Sequence, residues 1–208
     1  MEASRKIARC FLVKIVSWNV NGLLRCLRTG FLKFLSDAKP DILCCQEIKG
    51  QRSINTPGYF QYWNPAKKKN YAGTLVLTKK EPVSVQNGFG IDKFDDEGRC
   101  ITLEFNDFYL ANIYAPSLHP HSPPDRLEFR IEWDKTLLSY VQALPKPVIL
   151  CGDFNIAREY IDVYPENQKN TPSEPLFLSE CVCRSQRSPR PAELSRDSAK
   201  VEQWDRPD

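Results

Sequence analysis

The segment Pro147-Val148-Ile149-Leu150-Cys151-Gly152-Asp153-Phe154-Asn155 limits the folds open to this chain. Proline is tolerated at the first residue of a strand, and the apolar run from Val148 to Leu150 reads as a strand buried on both faces. Gly152 then thins the backbone, and Asp153 and Asn155 follow two residues apart. Side chains at i and i+2 of an extended chain point the same way, so a carboxylate and a carboxamide can converge on one object at the strand end. Gly-Asp-x-Asn is also good turn chemistry. Taken alone, the segment leaves a turn and a working site equally open.

The pattern recurs upstream. Phe11 to Val20 is rich in β-branched and aromatic residues and ends in Ser17-Trp18-Asn19-Val20-Asn21-Gly22, with Asn19 and Asn21 again at i and i+2. By itself this is an ordinary Asn-Gly turn. Leu23, Leu24, Leu27, Phe31, Phe34, Leu35 and Ala38 form one stripe at helical spacing, opposite Arg25, Arg28, Thr29 and Lys33. The spacing predicts a single surface helix, weakened at Gly30 and ended by Lys39-Pro40. Asp41 to Gln46 predicts a central strand closed by Glu47, an acid that suits either a rim position or a ligand.

Further strand-like runs follow at Tyr59 to Trp63, Tyr71 to Thr78, Val83 to Gln86, Arg99 to Phe105 and Phe108 to Tyr114, with Asp96-Glu97-Gly98 as a turn. Lys67-Lys68-Lys69, beside Tyr71, is a solvated turn or a track for a phosphate backbone. A helix is expected from Asp125, paired with Glu128 as a capping box, to about Leu144. Leu127, Ile131, Leu138 and Val141 form its apolar face, with Asp134 inside that stripe.

The 208 residues fit one domain with a substantial core. A formal net charge of +3 permits a polyanionic partner without demanding one. The eight cysteines lack metal-ligand spacing and read as free thiols of a reducing compartment. No run is apolar enough to suggest a membrane span or a signal peptide. Residues 1–12 read as an extension. From Cys181 to Asp208 there is neither stripe nor strand run, and a disordered tail is expected over 176–208.

Strand ends bearing Asn19 and Asn21, Glu47, Tyr114, and Asp153 and Asn155 should gather in one crevice of an α/β sheet. Their donors are all oxygen. Such a set suits a hard divalent ion such as Mg²⁺, and Mg²⁺ among carboxylates and neutral polar groups points to phosphoryl chemistry.

Five motifs carry the reading further: Ser17-Trp18-Asn19-Val20-Asn21-Gly22, Gln46-Glu47-Ile48-Lys49, Glu97-Gly98-Arg99, Arg126-Leu127-Glu128-Phe129-Arg130 with Trp133-Asp134, and Gly152-Asp153-Phe154-Asn155. In type and order they resemble the exonuclease III-type apurinic/apyrimidinic (AP) endonucleases of the endonuclease/exonuclease/phosphatase superfamily. The resemblance runs from about Val13 to Pro172. It implies an α/β (α+β) four-layer α/β/β/α sandwich over 13–175, C-terminally incomplete relative to the family.

The resemblance also implies roles. Asn19, Glu47, Asp153 and Asn155 would hold Mg²⁺, with Mn²⁺ as a substitute. Tyr114, Asp153 and Asn155 would be catalytic, with Asp153 the general base. Asn21, Lys49, Tyr71, Arg99 and Ser117 would contact DNA. The implied protein is a monomer, free of membrane, that cuts double-stranded DNA 5′ to abasic sites in the nucleus or mitochondrion, with 3′-end trimming as a related activity.

Two departures stand against full activity. The family places Asn where this chain has Ser117, and it carries a terminal Asp-His pair, whereas the only histidines here, His119 and His121, lie in a Pro-rich loop. A truncated form that binds nucleic acid without cutting is one alternative. A retrotransposon-type endonuclease is another, opposed by the Glu-Gly-Arg and Arg-Leu-Glu-Phe-Arg segments.

Overall fold

The computed structural model describes residues 13–51, 54–118 and 123–156. The expected N-terminal extension, the tail, His119 and His121 lie outside the described residues. Among the described residues, eight strands form two four-stranded sheets. The first sheet has the order β1 (Ile15–Asn19), β2 (Ile42–Gln46), β4 (Thr74–Thr78), β3 (Phe60–Asn64). The second has the order β5 (Ser84–Asn87), β6 (Cys100–Glu104), β7 (Tyr109–Tyr114), β8 (Val148–Asp153). Each sheet is mixed: β1 runs parallel to β2 and β7 parallel to β8, while the other pairs are antiparallel.

The alternation of side chains along each strand sorts them into three apolar layers. On β2, Leu43 and Cys45 face outward to Phe31 and Leu35, while Ile42 and Cys44 face inward to Ile101, Leu103 and Leu110 of the second sheet. On β7, Leu110 faces the first sheet, and Ala111 and Ile113 face Trp133 and Leu137. The order of layers is therefore helix, sheet, sheet, helix, in agreement with the expected α/β architecture.

Five details differ from the sequence reading. The expected single helix over 23–38 is two, α1 (Leu23–Thr29) and α2 (Phe31–Ala38), divided at Gly30, whose φ of 127° no helix accommodates. A short helix, α3 (Asp92–Asp95), precedes β6. The long helix, α4 (Pro124–Ala143), has Pro123 as its N-cap and no side-chain cap, so Asp125 and Glu128 do not form a capping box. Proline at the first helical position already lacks the N–H that such a cap would satisfy.

The buried face of α4 is also rotated. It carries Arg130, Trp133 and Leu137, and Leu127 is exposed. Asp134 belongs on this face because its carboxylate pairs with buried Arg130, and that charged pair obscures the stripe that apolar residues alone suggest. Finally, β8 is not buried on both faces. It bonds to β7 on one side, no strand flanks its other side among the described residues, and Ile149 is 39 % exposed.

Candidate active site

The two parallel pairs end in step. Asn19 is opposite Gln46 at the end of β1 and β2, and Tyr114 is opposite Asp153 at the end of β7 and β8. Ile15 and Cys151 pack in the layer between the sheets. By the period of two, Asn19 and Asp153 point into the same gap. There the Asn19 Nδ2 donates to Asp153 Oδ2 at 2.7 Å, a bond across 134 residues of chain that joins one sheet to the other.

Buried amides hold this end of the gap in register. The Gln46 Nε2 donates to Asn112 Oδ1 at 2.7 Å and to Ser17 Oγ at 3.0 Å. The Asn112 Nδ2 donates to the carbonyls of Cys45 and Leu75 at 3.0 and 3.1 Å. Both amides are almost wholly buried. A buried polar network that is fully bonded rigidifies its surroundings, and this one ends one residue before Glu47.

Glu47 leaves β2 with φ of 56°. Asn21, Lys49 and Asn155 also have positive φ, at 43°, 55° and 48°. Such values are uncommon outside glycine, and residues held there cluster where backbone strain serves a site. The Lys49 Nζ lies 2.9 Å from Glu47 Oε1 and donates to Asn21 Oδ1 at 2.6 Å. The Asn21 N–H donates to Asn19 Oδ1 at 3.0 Å. The Asn155 N–H donates to Asp153 Oδ1 at 2.9 Å, and its Nδ2 to the Ala115 carbonyl at 2.8 Å.

Tyr114 sits between the two acids. Burial, followed by the charge of Glu47 and more weakly that of Asp153, pushes its phenol up to about 12 against the opposing pull of Arg99. At neutral pH it is a proton donor. Glu47, Tyr114, Asp153 and Asn19 thus meet at one place, drawn from both sheets.

Arg99, expected on the DNA backbone, is instead 2 % exposed. Its Nη1 donates to the carbonyls of Tyr114 and Ala115 at 3.0 and 3.1 Å, its Nη2 to Tyr71 Oη at 3.2 Å, and its Nε to Glu97 at 2.5 Å. The guanidinium also lies 4.6 Å from the Tyr114 ring centroid. With all three of its nitrogens bonded to protein, it supports the tyrosines from beneath. Burial pushes the Glu97 carboxyl up, but Arg99 and Arg126 outweigh burial and hold it below its ordinary value. Sequence pattern alone assigns Arg126 and Glu97 no individual roles.

Beside the site runs a groove of about 300 Å³, lined in part by Leu24, Leu27, Lys49, Lys68 and Lys69. Lys67 is committed to Asp96 at 2.6 Å, while Lys68 lies over the Tyr71 ring at 5.1 Å. Ser117 is half-buried just past β7. Among the described residues there is no cluster of three or more His, Cys, Asp or Glu side chains. The oxygen donors at the site are carboxylates with neutral amides, the chemistry that a hydrated hard cation accepts.

Residues 16–170 match the Endonuclease/Exonuclease/phosphatase family. The chain belongs to that family. It is 43% identical over 157 residues to an exodeoxyribonuclease of Bacillus subtilis, covering 73% of this chain and 62% of that protein. It is 41% identical over 176 residues to a DNA-(apurinic or apyrimidinic site) endonuclease of Dictyostelium discoideum, covering 81% of this chain and 48% of that one. Its fold superposes on the AP endonuclease of Archaeoglobus fulgidus with a TM-score of 0.64 at 26% identity, covering 76% of this chain and 63% of that one. Within the family, then, the chain resembles AP endonucleases, as its motifs imply, and it spans roughly half to two thirds of their length.

Proposed function

We propose that this chain is a Mg²⁺-dependent DNA repair nuclease that hydrolyses the phosphodiester 5′ to an abasic site, with 3′-end trimming as a second activity. The observation that carries this reading is the meeting of Asn19, Glu47, Tyr114 and Asp153 from both sheets, with Asn19 bonded to Asp153 at 2.7 Å. The names of the relatives favour DNA as the substrate.

Asp153 takes the proton of the attacking water, and water oxygen bonds to phosphorus as the bond from phosphorus to the 3′ oxygen breaks. Asn155 orients that water and donates to charge developing on phosphorus. Tyr114, a neutral phenol, donates to a phosphate oxygen. Glu47 would hold the cation, with the Oδ1 of Asn155 and the free lone pairs of Asp153 within the same donor set. Asn19 turns its Nδ2 to Asp153 and its Oδ1 to a backbone N–H, so its part is to orient the base. When bound, Mg²⁺, or Mn²⁺ in its place, supplies charge neutralisation at the phosphate. Lys49, Asn21, Tyr71 and Ser117 line the face where the strand would lie. An absent base lowers the cost of displacing the lesion from the stack. The protein would work as a monomer in the nucleus or mitochondrion. No helix among the described residues is long and apolar enough to cross a membrane.

The test is cleavage of an abasic-site duplex with Mg²⁺, with Mn²⁺ and with chelator. Cutting that needs a divalent ion and falls at least about 10²-fold in Asp153→Asn is the expected result. Equal cutting by Asp153→Asn overturns the assignment of the base. Equal cutting of an intact T/A-rich duplex would indicate a retrotransposon-type endonuclease. The second reading is binding without cleavage. Retention of the duplex in a gel at the same salt, with no product, would establish it.

A further inference from the structure

Past the last paired residues, Tyr114 and Asp153, β7 and β8 share one more backbone bond, from the Ala115 N–H to the Asp153 carbonyl at 2.8 Å. Beyond it the ladder ends. Yet the segments that follow carry Ser117 on one side and Asn155 on the other, and their separation sets the span that a phosphate must bridge. Asn155 Nδ2 gives one cross-link, to the Ala115 carbonyl. The second comes from α4. Arg130, 3 % exposed, donates through Nη1 to the Pro116 carbonyl at 2.5 Å and through Nη2 to the Phe154 carbonyl at 2.9 Å. Its Nε bonds both oxygens of Asp134, at 3.0 and 2.9 Å.

We propose that Arg130 is a positioning residue: its planar fork fixes the distance between the strand-end segments 114–118 and 153–156, and Asp134 fixes the fork. Pro116 lies two residues beyond Tyr114, and Phe154 lies between Asp153 and Asn155. One rigid group therefore spans the two halves of the site without touching substrate. A guanidinium presents several donors in fixed relation, whereas a lysine ammonium is a point charge on a flexible stem. Lysine at 130 would keep the charge and the pairing with Asp134 but could not hold both carbonyls at a set spacing. Asp134 has no other evident purpose on the buried face of a helix.

The consequence for function rests on the proposed nuclease reading; the consequence for structure does not. The test compares wild type with Arg130→Lys and the milder Asp134→Asn in three measurements. In hydrogen exchange, the clamp predicts faster exchange in 114–118 and 153–156 together, with the strands of the first sheet unchanged. In kinetics on the abasic duplex, it predicts a fall in kcat of about 10²-fold for Arg130→Lys, as a small misplacement costs, with KM nearly unchanged, and partial recovery of kcat on adding guanidinium. Asp134→Asn should show the same pattern with smaller amplitude. Exchange that rises only within α4, or uniformly across the molecule, makes Arg130 a structural anchor and overturns the proposal, as does a change in KM alone. If Arg130→Lys does not fold, Asp134→Asn decides by the same criteria. If wild type does not cut, the nuclease reading fails, and the exchange result still decides the clamp.

Discussion

Replacing Gly152 by alanine tests how closely the backbones of β7 and β8 approach beside the site. A Cβ at position 152 would lie 1.9 Å from the Ile113 carbonyl oxygen and 2.8 Å from both the Ile113 carbonyl carbon and its nitrogen. All three atoms are backbone, so no side chain can swing away. Reaching even 3.0 Å from the oxygen requires the strands to part by about 1.1 Å at this pair. The pair Ile113 and Gly152 is next to Tyr114 and Asp153, so parting it loosens the bond from the Ala115 N–H to the Asp153 carbonyl. Positive-φ strain of about 1–3 kcal/mol and one or two backbone hydrogen bonds of about 1 kcal/mol each give roughly 2–5 kcal/mol, out of a total stability of about 5–15 kcal/mol. Gly30→Ala is the internal control. Gly30 also has positive φ, 127°, but nothing lies within 4 Å of its would-be Cβ, so it carries the dihedral strain alone. Urea unfolding of the three proteins, read as midpoint and slope, should place Gly152→Ala well below Gly30→Ala. A loss at Gly152 no larger than that at Gly30 would refute the close approach, and with it the claim that glycine is required there.

Two further perturbations probe the support beneath the tyrosines. Arg99→Lys should lower abasic-site cleavage about 10-fold or more, since one ammonium cannot serve Tyr114, Ala115 and Tyr71 together, while the slope of log affinity against log salt stays that of wild type. A slope reduced by about one would mean that Arg99 holds a phosphate after all. Glu97 has a folded-state pKa below its ordinary value, so its contribution is present above the unfolded value of about 4.3 and is lost as pH falls through the folded one. Glu97→Gln should therefore be less stable than wild type near about pH 6, and the gap should close toward about pH 3. A gap that does not change with pH in urea unfolding would show that the ion pairs with Arg99 and Arg126 add no pH-dependent stability.

The ends of the strands were legible in the sequence because period-two alternation carries both the buried face and the polar terminus. Asn19, Glu47, Tyr114 and Asp153 all fall where the run of apolar residues stops, and all four meet in the structure. The supports were not legible. Asn112 lies inside an apolar run and looks like a defect until Gln46 is brought to it from 66 residues away. Arg99 reads as an exposed cation because arginine usually is one, and only the fold reveals three carbonyl and hydroxyl partners within reach. Arg130 hid on α4 for the same reason, which left Asp134, visible inside the apparent stripe, without a partner: a charged pair in a buried stripe shifts the apparent apolar face by about one residue in each turn. The glycine break at position 30 was readable as a weakness, but not as a full stop, since propensity gives a cost of about 1 kcal/mol and not a dihedral angle.

Polar residues that contact substrate can be exposed, and exposure costs them little. Those that position them must be buried, since a support left in water would not hold a fixed geometry. Burial of a polar group is costly unless each donor finds an acceptor, and here the acceptors are strand-end carbonyls at Tyr114, Ala115, Pro116 and Phe154. Those carbonyls lie at or beyond the last rungs of the β7 and β8 ladder, where partners must come from outside the sheet. The same fact, the end of a ladder, therefore creates both the crevice and the demand that Arg99 and Arg130 satisfy. A substitution that lengthened the pairing of β7 with β8 by a residue or two would satisfy the carbonyls and leave the guanidinia unpartnered. It should cost activity even if the sheet itself became more regular.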